Sequence, residues 1–243
     1  MTSDSYYSQY GEDQELAKIF PAPGICVEVG AHDGVQHSNT YFFEQRGWQC
    51  ILVEPQPNSC QKIKSVRKAL LFECAASDHN GRIDFHACDE LPELSGFTPD
   101  LPRITREGGT TRAIHVPVRL LDDILAESGV TKVDFISIDV EGHEIAVMAG
   151  FSLERWRPRI VILEDLSEGT DNLLPGYMRK FDYVPWKMTG CNLWFSPRSD
   201  SELVSPLNLR QFGKARRLRQ IRHFLPPFVA SPLKAVYKVF RGK

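Results

Sequence analysis

Short apolar runs alternate with stretches of helical periodicity along most of the chain. The predicted strands are Ile25–Val29, Cys50–Val53, Leu70–Ala75, Ile83–His86, Ile114–Val118, Val133–Ile138, Ile160–Leu163 and a closing hairpin of Tyr183–Trp186 with Cys191–Phe195. The predicted helices lie between them, at Tyr41–Arg46, Ser59–Lys68, Leu120–Ser128, Ile145–Gly150 and Asp171–Phe181. Strands that are apolar on both faces and alternate with helices indicate a parallel sheet covered on both sides.

Parallel sheets of this kind bind ligands at the carboxyl ends of their strands. After the first predicted strand, Gly30 and Gly34 bracket a turn in which the backbone can approach a ligand closely. The loop does not match the G-x-G-x-x-G pattern of dinucleotide-binding proteins, because Ala31 and His32 follow Gly30. Glu28 would repel a pyrophosphate and suits a cationic group, such as an ammonium or a sulfonium.

Acidic residues also follow the next buried strands. Glu54 comes directly after Cys50–Val53, where a carboxylate can accept both hydroxyls of a ribose. Asp139, Glu141 and His143 follow Val133–Ile138, and charges so close to a buried strand are costly unless they are paired or used. The alternative is a helix N-terminus that carries acids for its dipole.

Two further carboxylates, Glu164 and Asp165, follow the strand Ile160–Leu163. Together with Asp139 they could hold Mg²⁺ or another hard divalent cation through oxygen ligands. Acids at this edge could equally contact only a cofactor or solvent. The sequence therefore leaves metal binding open.

Composition is that of a soluble globular protein. The chain has 243 residues, 42% of them hydrophobic and 25% charged, which excludes wholesale disorder and a polytopic membrane protein. The net charge of −2 hides a strong polarity: the first 202 residues carry −12, whereas 203–243 hold ten Lys and Arg and no acid. We predict one domain over residues 1–200 and a basic, helical tail over 203–243.

The tail pattern predicts a cationic helix at Arg210–Arg222 and an amphipathic basic stretch at Leu233–Phe240. Both suit an anionic membrane surface or an acidic partner, or else the tail docks on the acidic body of the same chain. Nucleic acid is not expected as a partner, because the acidic body would repel phosphates.

The start of the chain lacks the pattern of a signal peptide, and the six cysteines form no C-x-x-C pair. We expect reduced thiols in a cytoplasmic protein, with peripheral association at the inner face of the membrane as a further expectation. The sequence carries no prediction of oligomeric state.

Six motifs, in this order, resemble those of the FkbM-type S-adenosylmethionine-dependent methyltransferases. They are Ser8-Gln-Tyr-Gly-Glu-Asp13, Val27-Glu-Val-Gly-Ala-His-Asp-Gly34, Ser38-Asn39, Val53-Glu-Pro55, Cys74-Ala-Ala-Ser-Asp78 and Ile136-Ser-Ile-Asp-Val-Glu-Gly-His-Glu144. The resemblance implies an α/β fold of the Rossmann-like class I methyltransferase type. Its seven-stranded sheet would be mostly parallel, with an antiparallel last strand.

The resemblance also implies roles for particular residues. S-adenosylmethionine would be held by Glu28, Gly30, Gly34 and Ser38 around its methionine part, by Glu54 at its ribose, and by Ala76, Ser77 and Asp78 beside its adenine. The candidates for the general base are Asp139, Glu141 and His143, with Asp139 preferred. The segment Ser8–Asp13 would fold over the site from an N-terminal helix.

The implied reaction is O-methylation of a hydroxyl, on a sugar of a glycan, glycolipid or natural product. A sugar hydroxyl is a poor nucleophile, so a general base or a metal must remove its proton. The segment Asp89–Thr111 would face the acceptor, where Arg103, Arg106 and Arg112 suit an acidic one. Two alternatives remain, a nicotinamide-dependent oxidoreductase on the same type of sheet and a non-enzymatic membrane- or nucleic-acid-binding module led by the tail.

Overall fold

The computed structural model describes residues 5–167 and 169–224, which contain ten strands. In chain order they are β1 (Ile25–Val29), β2 (Gln49–Val53), β3 (Leu70–Phe72), β4 (Ala75–Ser77), β5 (Gly81–Ala87), β6 (Arg112–Leu120), β7 (Phe135–Ile138), β8 (Ile160–Glu164), β9 (Tyr183–Thr189) and β10 (Asn192–Pro197). Seven of them form one sheet in the order β3-β2-β1-β7-β8-β10-β9. The strand β10 pairs antiparallel with both β8 and β9, and all other pairs in this sheet are parallel, which confirms the predicted mostly parallel sheet with an antiparallel last strand.

The register of the central strands brings their carboxyl ends to one edge. Val29, the last residue of β1, lies opposite Val53 of β2 and Ile138 of β7. Ile138 in turn lies opposite Leu163 of β8. The residues that directly follow these four positions in the sequence are therefore neighbours in space.

The other three strands form a small sheet in the order β4-β6-β5. The predicted strand Leu70–Ala75 is wrong in this respect, since its two ends belong to different sheets. The Cys74 N–H donates to the Phe72 carbonyl oxygen at 3.0 Å, which closes a tight turn between β3 and β4. The chain therefore leaves the main sheet at Glu73.

Helices that pack on the main sheet lie on both of its faces, and the described part of the chain contains nine helices in all. They are α1 (Glu12–Ile19), α2 (Tyr41–Glu44), α3 (Pro57–Val66), α4 (Leu101–Arg106), α5 (Leu121–Glu127), α6 (Glu144–Ala149), α7 (Leu153–Trp156), α8 (Leu173–Met178) and α9 (Pro206–Phe224), with 3₁₀ turns at Pro92–Leu94 and Arg179–Phe181. Alternate residues of β1 enter opposite cores, Val27 on one side and Cys26 on the other. Trp186 and Trp194 of the closing hairpin are buried in the second core.

The basic tail begins with α9, which lies against β9 and packs Phe212 on the first core. The predicted amphipathic stretch Leu233–Phe240 lies outside the described residues. Within the described part of the chain, every helix is too short or too polar to cross a bilayer. All six cysteines are unpaired.

Candidate active site

A cavity of about 450 Å³ opens at the carboxyl ends of β1, β2, β7 and β8. The structure brings together on its wall eight of the residues that the sequence nominated. These are Glu28, Gly30, Ser38, Glu54, Ala76, Asp139, Glu141 and Glu164. The cavity is therefore the place where the predicted cofactor and acceptor residues meet.

Gly30 allows the exits of β1 and β7 to approach each other closely. Its φ is +81°, and a Cβ at this position would lie 1.8 Å from the carbonyl oxygen of Asp139. Three non-glycine residues on the cavity wall also have left-handed backbone conformations, His32, His37 and Glu141. Such strain is concentrated at functional sites, because the surrounding structure must hold it in place.

Glu54 lies at the end of β2 with its carboxylate held by the backbone. One oxygen accepts from the His32 N–H at 2.9 Å and the other from the Gln56 N–H at 2.8 Å. Burial raises the pKa of Glu54 to about 7 despite these two hydrogen bonds, which favour the ionised form. The remaining lone pairs of the carboxylate are available to a ligand in the cavity.

Glu28 organises the loop that follows β1. Its carboxylate accepts from Ser38 Oγ at 2.7 Å, from Thr40 Oγ1 at 2.6 Å and from the Asn39 N–H at 2.6 Å. Asn39 Nδ2 then donates to Ser137 Oγ at 2.8 Å, while Asn39 Oδ1 is buried without a hydrogen-bond partner. The unpartnered acceptor on this part of the wall is therefore Asn39, which Glu28 positions.

Asp139, Glu141 and Glu164 form a cluster in which one oxygen of each lies within 4.8 Å of the others. Burial, followed by the charge of Asp139, raises the pKa of Glu164 to about 9 and that of Glu141 to about 7. Burial also raises the pKa of Asp139, although its side chain faces the open cavity. Three carboxylates in this space favour a bound proton or cation.

The N-terminal segment forms another wall, to which Gln9, Tyr10 and Glu12 contribute. Glu12 Oε1 accepts from Thr189 Oγ1 at 2.6 Å and from Asn192 Nδ2 at 2.9 Å. The Tyr10 ring lies so close to Gly190 that a Cβ there would be 2.1 Å from it. These contacts fasten the segment to the β9–β10 hairpin.

The segment between β5 and β6 forms a further part of the cavity wall. Five of its residues line the cavity: Pro92, Glu93, Ser95, Phe97 and Arg103. Gln56 anchors it, because Gln56 Nε2 donates to Asp89 Oδ1 at 3.1 Å and Ser95 Oγ donates to Gln56 Oε1 at 3.2 Å. Among the described residues on the wall, Arg103 is the single Lys or Arg.

Several nominated residues lie outside the cavity. Gly34 packs against α3, since a Cβ there would be 3.0 Å from Ile63 and 3.1 Å from Arg67. Arg112 is paired with Asp89 at 3.0 Å. Arg106 is exposed on α4 and does not line the wall either.

Of the three residues predicted to lie beside the adenine, Ala76 alone lines the cavity. Cys74, Ala75 and Ala76 line the cavity, whereas Ser77 and Asp78 do not. Ser77 is buried, with its Oγ 2.9 Å from His143 Nε2, and Asp78 pairs with the exposed His79 at 2.7 Å. The reason is that β4 turns into the small sheet and carries its last residues away from the site.

His143 and Asp165 do not line the cavity either. His143 precedes α6, and its ring lies 4.4 Å from that of Phe97, outside the cavity. Burial lowers the pKa of His143. Asp165 accepts from Ser167 Oγ at 2.6 Å and the Gly169 N–H at 2.8 Å, so it closes a turn and Glu141 takes its place in the acidic cluster.

Comparison with known protein families identifies the family of this chain. Residues 28–185, nearly two thirds of the chain, match the model of the methyltransferase FkbM domain. The chain belongs to the FkbM methyltransferase family. The matched range includes the loops after β1, β2, β7 and β8 and the segment between β5 and β6.

This FkbM family member is similar to the 2-O-methyltransferase NoeI of Sinorhizobium fredii. The two sequences are 29% identical over 164 residues, and the alignment covers 62% of this chain and 67% of NoeI. Among solved structures it is similar to the O-methyltransferase TomG of Streptomyces achromogenes in complex with SAM. The TM-score is 0.42 and the identity 11%, and the superposition covers 81% of this chain and 82% of the TomG chain. This FkbM protein is an S-adenosylmethionine-dependent methyltransferase. The oxidoreductase and the non-enzymatic alternatives are set aside.

Proposed function

We propose that the enzyme transfers a methyl group from S-adenosylmethionine to a hydroxyl oxygen of a sugar. The observation that carries the proposal is one continuous cavity. Its wall includes Glu54, which we assign to the cofactor, together with Asp139 and the side chains of Phe97 and Arg103. The relative NoeI is named a 2-O-methyltransferase, which supports oxygen as the acceptor atom. A cavity of this volume, with aromatic and polar walls, suits a cofactor and part of an acceptor.

The cofactor would lie along the exits of β1 and β2. Glu54 would accept the ribose hydroxyls, and the methionine part would lie against the Gly30 backbone. The buried Asn39 Oδ1, which has no hydrogen-bond partner, fits an ammonium donor. Cys74, Ala75 and Ala76 would contact the adenine.

The sulfonium of the cofactor supplies an activated methyl group, so the protein has to align the acceptor and take its proton. Asp139 directly follows β7 and faces the cavity, which makes it the proposed general base. Phe97 offers an apolar ring face of the kind that packs on sugars, and Arg103 offers a charge-assisted hydrogen bond.

The same acidic cluster fits a divalent cation. Its three carboxylates are the hard oxygen ligands that Mg²⁺ prefers, and Glu164 Oε2 is buried without a hydrogen-bond donor facing it. When bound, the cation would lower the pKa of the acceptor hydroxyl. Asp139, Glu141 and Glu164 would hold it, and Asp165 would not.

A turnover screen tests the proposal. The full chain would be incubated with S-adenosylmethionine labelled in its methyl group and with free sugars, sugar nucleotides, lipid-linked sugars and finished glycans. We expect label in a base-stable ether on at least one sugar class, and none with Asp139→Asn. Asp84→Asn, an exposed acid on β5 away from the cavity, is the matched control. Transfer only to amines or thiols would contradict a hydroxyl acceptor.

A further inference from the structure

The inner face of α9 is fixed to the loop that follows β8. Arg216 Nε donates to the Gly169 carbonyl oxygen at 3.1 Å and a second Arg216 nitrogen donates to that of Asp171. Gln220 Nε2 also donates to Gly169, at 2.8 Å. Leu166 of the same loop lines the cavity. The helix is therefore held in a defined position relative to the active site.

The outer face of α9 carries both aliphatic and cationic side chains and no acid. Its members follow helical spacing and all are exposed: Leu207, Arg210, Lys214, Arg217, Leu218 and Ile221. The exposed fractions of Leu207, Leu218 and Ile221 are 64%, 63% and 51%. More than half of each of these aliphatic residues is therefore open to solvent in the described part of the chain, and such surface is costly to leave in water.

We propose that the outer face of α9 docks on an anionic lipid surface. Lys and Arg side chains are attracted to acidic headgroups, while aliphatic side chains beside them enter the boundary between headgroups and acyl chains. The charge pattern is one-sided, because the sequence contains no Asp or Glu from Leu203 onwards.

A membrane explains this face better than nucleic acid does. Phosphates would match the cations but would gain little from three exposed aliphatic side chains. A lipid surface, by contrast, uses both components of the face.

Because α9 is fixed to the loop at the cavity, docking would hold the active site near the lipid surface. That position suits an acceptor sugar carried on a lipid, a consequence that rests on the proposed sugar methylation. Docking itself depends only on the outer face. The two proposals can therefore fail separately.

Vesicle sedimentation of the full chain tests the docking. Vesicles of phosphatidylcholine alone would be compared with phosphatidylcholine mixed with phosphatidylglycerol, each at low and high sodium chloride. We expect binding to the mixed vesicles only, weakened by salt. Lys214→Glu with Arg217→Glu should reduce the affinity at least about tenfold. Leu218→Asp should also reduce it, whereas Lys62→Glu with Lys68→Glu, an equal charge change on and beside α3, should have a small effect.

Two results would overturn the proposal. One is equal binding by the wild type and both α9 variants, which would assign any vesicle affinity to other residues. The other is no binding to the mixed vesicles at low salt; salt-sensitive binding to a duplex oligonucleotide instead would assign the face to nucleic acid. Sedimentation needs neither cofactor nor acceptor, so either result leaves the proposed reaction standing.

Discussion

Replacing Glu54 with glutamine removes the charge that the structure holds at the proposed ribose site. Each oxygen of the native carboxylate accepts one backbone N–H, from His32 at 2.9 Å and from Gln56 at 2.8 Å. A glutamine has one acceptor oxygen, so its NH₂ group must face one of these N–H donors. The Glu54→Gln variant therefore loses an acceptor as well as a charge.

The expected loss of cofactor affinity follows from the hydrogen bonds to the ribose. A hydrogen bond to a charged group contributes about 1.5–3 kcal/mol, whereas one to a neutral group contributes about 1 kcal/mol. Loss of one charge-assisted bond predicts S-adenosylmethionine binding about 10- to 150-fold weaker. Isothermal titration calorimetry of the variant would measure it, with Glu73→Gln, a half-exposed acid paired with Lys64, as the control.

Glu54 also predicts a pH dependence, because burial raises its pKa to about 7. The ionised form is the better ribose acceptor, so wild-type affinity should rise about tenfold from pH 6 to pH 8. The amine of the cofactor also titrates, and the pH profile of the Glu54→Gln variant measures the effect of that amine on affinity without Glu54. The difference between the two profiles isolates Glu54.

The raised pKa of Glu54 also affects the free energy of unfolding, which should fall as pH rises whereas the cofactor affinity should rise. A carboxyl group whose pKa is raised on folding makes the folded state less stable as pH rises from the unfolded pKa towards about 7. Thermal unfolding of Glu54→Gln should therefore lack this loss. If the variant binds the cofactor within twofold of wild type at pH 8, with an unchanged pH profile, Glu54 does not hold the ribose.

Four further predictions concern the rest of the site. Asp139→Asn should keep cofactor binding by calorimetry while lowering kcat at least about 100-fold; unchanged turnover would exclude Asp139 as the base. Gly30→Ala should lower Tm and abolish cofactor binding, since its Cβ would meet the Asp139 carbonyl oxygen at 1.8 Å; normal binding by calorimetry would contradict this. Arg103→Gln should raise KM for phosphorylated or carboxylated acceptors more than for neutral ones, and equal changes would show that Arg103 does not read acceptor charge. EDTA should abolish turnover and Mg²⁺ restore it if the acidic cluster works through a cation; full activity in EDTA would assign the proton to Asp139 alone.

The edge at which the site forms could be predicted from the sequence because the central strands are short, apolar on both faces and parallel. In such a sheet the residues after each strand must meet, and the register of Val29 with Val53 and Ile138 shows that they do. Gly30, Glu54 and Asp139 therefore lie together on one cavity wall. The antiparallel last strand followed from the resemblance and from the hairpin pattern near the C-terminus.

What the sequence could not predict depends on local turns and on contacts distant in the chain. The tight turn between Phe72 and Cys74 separates β3 from β4, and Ser77 at the end of β4 does not line the cavity. The Asp165 carboxylate accepts hydrogen bonds from Ser167 Oγ and the Gly169 N–H within a local turn, and a hydropathy pattern does not reveal such contacts.

Three other residues of the cavity wall differ in how far the sequence could predict them. Asn39 appeared within a family motif, but its unpartnered oxygen is visible only once Glu28 has ordered its loop. Tyr10 lay in the N-terminal motif, although its contact with Gly190 depends on the distant hairpin. Asn192 carried no signal at all, because it lies on that hairpin and reaches the site only through tertiary packing.

The charge of the cavity fits the course of the proposed reaction. Its wall carries seven carboxyl groups and one arginine, and burial raises the pKa values of Glu54, Glu141 and Glu164. A sulfonium relieves part of this unfavourable negative charge, and methyl transfer turns it into a neutral thioether. The acceptor hydroxyl then passes its proton to Asp139, so the site loses one positive and one negative charge together. Because these two charge changes cancel, a partly buried acidic site suits a cationic methyl donor with a neutral acceptor.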